Sequence, residues 1–172
     1  MKLEINLLPV NFRKGRALKP DVIVIHIQEG TQKGTDEWFR NPAAKVSAHY
    51  GVALDGSVVQ WVANEDTAQH AGNIKAPTAA IVKERRKLNP NSYSLGIECE
   101  GLAKNDPPDG QLEALAELVE QLAAKYSIPL TRRHVIGHRE IRADKTCPGK
   151  IDVDDVVKRA LRLAKLRDEQ PA

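Results

Sequence analysis

The chain predicts an α/β fold, a single domain with a mixed central β-sheet flanked by α-helices. Three observations predict it. Residues 21–27 read DVIVIHI, a near-continuous β-branched run of the kind found in strands covered on both faces. The stretch SAHYGVALDGSVVQWV holds two strand-like runs joined by Asp55-Gly56, a strong hairpin signal. Residues 111–126 and 152–168 repeat apolar side chains at three- and four-residue spacing, the mark of amphipathic helices. Strands and helices alternating around one hairpin make helices packed on a mixed sheet the natural architecture.

The elements follow in order. Residues 1–20 are basic and turn-rich and read as an arm leading into the first buried strand. Gly30 to Gly34 read as a loop, and TDEWFRNP as a short helix capped by Thr35 and ended by Pro42. After the hairpin, KAPTAAIVKERRKLNPNSY holds room for one short helix, and SLGIECEG is a further strand closed by Gly101. AKNDPPDG is loop. In the helix at 111–126, Leu112, Leu115, Leu118, Val119, Leu122 and Tyr126 share one face, and Pro129 follows its end. RHVIGH is a short strand. The last helix sets Val153, Val156, Val157, Ala160, Leu161 and Ala164 on its apolar side. The domain is thus expected over 21–168, with an arm at 1–20 and a tail at 169–172.

Composition narrows the function classes. With 172 residues, 41% hydrophobic and 28% charged, the chain can bury a core of its own and disorder is not the default. A net charge of +3 would favour an anionic partner such as nucleic acid or a bacterial wall polymer, but a solvated surface is the plainer explanation. No apolar run approaches a membrane span. The first twenty residues lack a long apolar core and a small-residue cleavage site, so the chain is expected to stay cytoplasmic on synthesis. Two cysteines, Cys99 and Cys147, cannot make a disulfide framework.

Chemistry concentrates in HVIGHREIRADKTCPG, residues 134–149. His134 and His138 are four apart, a metal pair on a helix, but HVIGH reads as strand. On a strand they stand about 13 Å apart, so one of them is structural. His138 follows Gly137, and nine residues later a returning loop can bring the Cys147 thiolate beside an imidazole. Thiolate plus two imidazoles suits zinc and leaves a fourth position for water. The competing role for Cys147, a nucleophile, needs an activating base or a helix N-terminus. His26 ends the first buried strand, where α/β folds present reactive groups, or else is a core histidine bonded to a carbonyl.

VIVIHI, SAHYGVALDGSVVQWV, QHAGN, SYSLGIECEG, VIGHREI and KTCPG, in that order, resemble the zinc-dependent N-acetylmuramoyl-L-alanine amidases of the type-2 class. That class includes phage lysozyme-amidases, cytoplasmic muropeptide-recycling amidases and animal peptidoglycan recognition proteins. The resemblance covers roughly residues 20–150. It implies a peptidoglycan-recognition-protein-like fold and one Zn²⁺ held by His26, His138 and Cys147, with no metal role for His134. It further implies Glu98 as the catalytic carboxylate and Lys145 as the stabiliser of the oxyanion. Glu100 would share a strand face with Glu98, and Cys99 would point the other way as a buried thiol. His70 falls where the family contacts substrate, and His49 lines the site or packs. Certain phage members carry a tyrosine before the hairpin histidine; Ala48 stands there, which leaves the acid–base work to Glu98.

The activity so implied is hydrolysis of the amide between N-acetylmuramic acid and L-alanine. The partner is peptidoglycan or a muropeptide, with no nucleic acid and no membrane insertion, and the chain is expected to be a monomer. A phage or prophage endolysin is the expected setting, because the Lys-x-Cys-Pro loop resembles lytic members. A recycling amidase acting on anhydro-muropeptides, a non-catalytic peptidoglycan-binding module and a cysteine peptidase are the alternatives.

Overall fold

The computed structural model describes residues 2–169. Six strands form one mixed sheet in the order β1 (Leu3–Ile5), β5 (Val58–Gln60), β4 (Tyr50–Val52), β7 (Ser94–Cys99), β3 (Val22–Ile27), β8 (Val135–Gly137). Only β4 and β5 pair antiparallel; they form the hairpin about Asp55-Gly56, with Gly56 at φ 82° where a side chain would be strained. Every other neighbour in the sheet is parallel. A second ribbon pairs β2 (Phe12–Arg13) with β6 (Thr67–Ala68).

Strand β3 lies between β7 and β8, and Val22, Ile23, Val24 and Ile25 are fully buried, as the unbroken β-branched run requires. Its two faces meet different partners. Ile23 and Ile25 join Leu95, Ile97 and Cys99 against α3 (Asp109–Tyr126) and α4 (Val153–Asp168). Val22 and Val24 join Ile136 against α2 (Ala80–Glu84). Leu115, Leu118, Val119 and Leu122 lie on the buried stripe of α3, each contributing about 1.5–3 kcal/mol of burial. Ser127, at φ 58°, ends that helix in the left-handed conformation. Asp152 caps α4 by accepting from the Asp154 N–H.

Two sequence expectations are corrected here. Helix α1 spans Gln32–Arg40 and is capped by Thr31, whose hydroxyl accepts from the Gly34 N–H, so Thr35 lies inside it. Gly34 suggested a loop, yet it occupies the first turn, where helical propensity counts least. The first twenty residues are not a free arm. Leu3–Ile5 pair with β5, Phe12–Arg13 pair with β6, and Leu8 is buried against Phe39 and Trp61. Strands of two and three residues are too short for an alternation pattern to register. Of the expected tail, residues 170–172 lie outside the described residues.

Candidate metal centre and active site

The two faces of β3 separate the candidate site residues from the α3 core. His26 follows Val22 and Val24 on the α2 side and is 2% exposed, at the end of the strand. Glu98 is its register partner on β7, so the same alternation brings it to the same side. Cys99 points into the α3 core, fully buried, and burial raises its thiol pKa well above the ordinary value.

After β8, a 3-10 turn at His138–Glu140 bends the chain sharply. This bend carries His138 toward His26, with ring centroids 4.6 Å apart, while His134 stays behind with Nδ1 2.8 Å from the Asp21 carbonyl oxygen. The following loop returns as expected. Its backbone is tied by Arg139 N–H to the Cys147 carbonyl at 2.9 Å, and the Cys147–Pro148 peptide is cis. The Cys147 sulfur accepts from the Ile27 N–H at 3.2 Å, which sets it one residue beyond His26. Donor atoms of His26, His138 and Cys147 all lie within 4.8 Å of one another. Both cysteines are free.

Two imidazoles and one thiol at this separation fit a single tetrahedral zinc ion, whose N and S bonds run to about 2.0–2.3 Å. The histidines are suited to it. Burial holds the pKa of His26 well below the usual range, with His138 adding to the effect, and burial lowers His138 as well. Both are neutral at pH 7 and free to donate a lone pair. Burial, then the neighbouring Glu98, pushes the Cys147 thiol up to about 12, so a metal must displace its proton.

Glu98 is 15% exposed, with Oε1 3.9 Å from His26 Nδ1 and Oε2 buried without a hydrogen-bond partner among the described residues. Burial pushes its pKa up to about 8. A carboxyl so placed is poised to exchange a proton near neutral pH. Glu100 is engaged elsewhere: Oε1 accepts from the Gln32 N–H and Oε2 from the Leu54 N–H. These bonds hold the start of α1 and the hairpin in place.

A cleft of about 720 Å³ opens over the three donors, walled by Gly30, Trp38, Val46, Gln69, Lys145 and Thr146. Lys145 is exposed at its rim, and its charge helps to lower the pKa of His138. His70 also borders the cleft but is only 8% exposed. Its Nδ1 lies 3.0 Å from His26 Nε2 and its Nε2 lies 3.2 Å from the Ser94 hydroxyl. Burial, with His26 and His49 beside it, lowers its pKa well below the usual range.

His49 is corrected. It is fully buried and walls no part of the cleft; its Nδ1 accepts from the Gly96 N–H at 3.0 Å. Its Nε2 lies 2.8 Å from Arg16 Nη2 and 3.3 Å from the Asp66 carbonyl. Burial and Arg16 lower its pKa to about 3. His49 packs behind the site rather than lining the cleft. The Arg16 contact escaped sequence reading because the two residues are 33 apart with no pattern joining them.

Residues 16–150 match the family described as N-acetylmuramoyl-L-alanine amidase. The chain belongs to this family. Among curated amidases, it is 34% identical over 106 residues to the 1,6-anhydro-N-acetylmuramyl-L-alanine amidase AmpD of Salmonella typhimurium, covering 61% of this chain and 51% of that one. It is 30% identical over 109 residues to N-acetylmuramoyl-L-alanine amidase A of Achromobacter lyticus, covering 62% and 52%. With the amidase CwlH of Bacillus subtilis it shares 29% identity over 149 residues, covering 81% and 51%. The aligned stretches span about half the length of these curated relatives. Solved amidase-family structures share its fold. An AmpD derivative superposes with a TM-score of 0.75 at 24% identity over 92% of this chain and 94% of the other. A mutant endolysin from Bacillus subtilis gives 0.71 at 23% identity over 93% and 99%.

Proposed function

We propose that this chain is a zinc hydrolase that cleaves the amide between the lactyl group of N-acetylmuramic acid and the first L-alanine of the stem peptide. The observation that carries the reading is the meeting of His26, His138 and Cys147 donors within 4.8 Å at the floor of a cleft, with Glu98 beside them. Membership of the amidase family supports it.

His26, His138 and Cys147 would hold the ion, which when bound polarises the amide carbonyl and acidifies a water. The residues of the chain then do the remaining work. Glu98 accepts the proton of the attacking water at a carboxylate oxygen and passes it to the leaving alanine nitrogen. Burial alone raises Glu98 to about 8 in the metal-free fold, and beside a bound cation it would return toward the carboxylate that takes the proton. Lys145, at the cleft rim, sets its ammonium against the oxyanion of the tetrahedral intermediate, where loss of one donor costs about 3 kcal/mol.

The setting we favour is a phage or prophage endolysin, supported by the Lys145-Thr146-Cys147-Pro148 loop, which resembles that of lytic members. A recycling amidase is the second reading, supported by the identity to AmpD. A non-catalytic binding module is disfavoured, since the donor set, Glu98 and Lys145 are all present. The peptidoglycan substrate and the action of a single chain complete the proposal.

Digestion of intact sacculi and of soluble anhydro-muropeptides, with and without chelator, tests it by mass spectrometry. Free stem peptides bearing a new alanine amine are expected, lost with chelator and restored by zinc. Cleavage of sacculi favours the endolysin, and cleavage confined to soluble fragments favours recycling. Reducing sugar ends, or activity indifferent to chelator, would overturn the reading.

A further inference from the structure

We infer that residues 70–71, pinned by Asn91, form one positioning segment that turns both histidine donors so that each presents Nδ1 to the metal. This inference rests on the zinc reading above.

Hydrogen-bond direction carries the argument. The Pro90 carbonyl can only accept, so the Ser94 hydroxyl, 2.7 Å away, donates to it. The Ser94 oxygen is then the acceptor for His70 Nε2–H at 3.2 Å. With its proton on Nε2, His70 offers a bare Nδ1, and His26 Nε2, 3.0 Å away, must donate to it. His26 is therefore the Nε2–H tautomer, and its lone pair sits on Nδ1, the atom nearest Glu98. The neighbouring residue does the same for the other donor. His138 Nε2 lies 3.2 Å from the Ala71 carbonyl, which can only accept, so His138 also keeps Nδ1 bare. Imidazole ligands are commonly oriented by such partners on the second nitrogen.

One side chain holds the segment. Asn91 Oδ1 accepts from both the His70 N–H, at 3.1 Å, and the Ala71 N–H, at 2.8 Å. Gly96 completes the slot, since a Cβ there would stand 2.5 Å from the His70 ring. His70 is thus a positioning residue rather than a substrate contact.

Two measurements on the full chain test this. Long-range ¹H–¹⁵N spectra of the metal-free protein, with only five histidines to assign, should show His26 protonated on Nε2. Zinc affinity by competition with a chromophoric chelator should fall about 10- to 100-fold in His70→Ala. His70→Asn, whose Oδ1 can take the place of Nδ1, should recover most of that loss. His26 protonated on Nδ1 would overturn the inference. So would His70→Ala binding zinc within about twofold of wild type, or His70→Asn faring no better than alanine. If His70→Ala does not fold, the tautomer decides alone. Failure of the wild type to bind zinc would remove the metal reading, while the tautomer would still settle the orientation.

Discussion

Glu98 faces His26 across the parallel register of β3 and β7, its Oε1 3.9 Å from His26 Nδ1 and its Oε2 without a partner among the described residues. A buried carboxyl left half-unpaired is costly to a fold, so it marks a place where chemistry outweighs stability. Glu98→Gln keeps shape and volume but cannot take a proton. It should retain zinc at wild-type stoichiometry and lose about 10²- to 10⁴-fold in kcat. Metal analysis and kinetics on one preparation check this, and full activity would refute the proton-transfer role.

The same carboxyl makes a pH signature in the metal-free protein. Its pKa is raised from 4.5 to about 8, so between those values the folded chain binds more protons than the unfolded one. The stability contributed by Glu98 should therefore fall as pH rises through that window, by an amount on the order of a few kcal/mol, against an opposing rise from His26, His49, His70 and His138, which burial keeps neutral. Urea unfolding of the metal-free chain at pH 5.5 and pH 8 reads the slope. Glu98→Gln should remove the Glu98 contribution, so the variant gains more stability than wild type between the two pH values.

Zinc binding should depend on pH in the opposite sense. The Cys147 thiol is protonated below about 12 in the metal-free fold, whereas His26 and His138 are already neutral at pH 7. Each bound ion must release at least the thiol proton, so affinity should rise about tenfold or more per pH unit between 6.5 and 7.5. A flat profile in chelator competition would show that the sulfur is not a ligand.

Gly96→Ala drives a methyl into the His70 ring, 2.5 Å away. Destabilisation of about 1–3 kcal/mol is expected, with a parallel loss of zinc affinity. Thermal unfolding and zinc titration of the same variant check whether the two losses travel together.

The donors were legible because the family resemblance joined them and each sits beside a strong local signal. His26 ends a β-branched run, His138 follows a glycine at a strand end, and Cys147 precedes proline in a short return loop. Strand geometry showed that His134 and His138 could not both bind one ion, and the family resemblance pointed to His138. What stayed hidden was whatever depends on contacts between distant segments. Arg16 reaching His49, and Asn91 holding residues 70–71, leave no periodicity in the chain. The start of α1 was misread for a local reason, since two threonines four apart both precede plausible first turns.

The pairing of Leu3–Ile5 with β5 reaches beyond the fold itself. Lys2 O, Asn6 N–H and Leu8 N–H extend that ladder along the whole of β5 and one residue on, from Val58 to Trp61. Were the chain trimmed to residue 16, where the family match begins, β5 would become an open edge beside the pocket vacated by Leu8. Bare backbone groups next to exposed apolar surface invite strand exchange between molecules. The opening residues therefore cover β5 and fill the pocket at Leu8, while β1 takes over as the outer strand of the sheet.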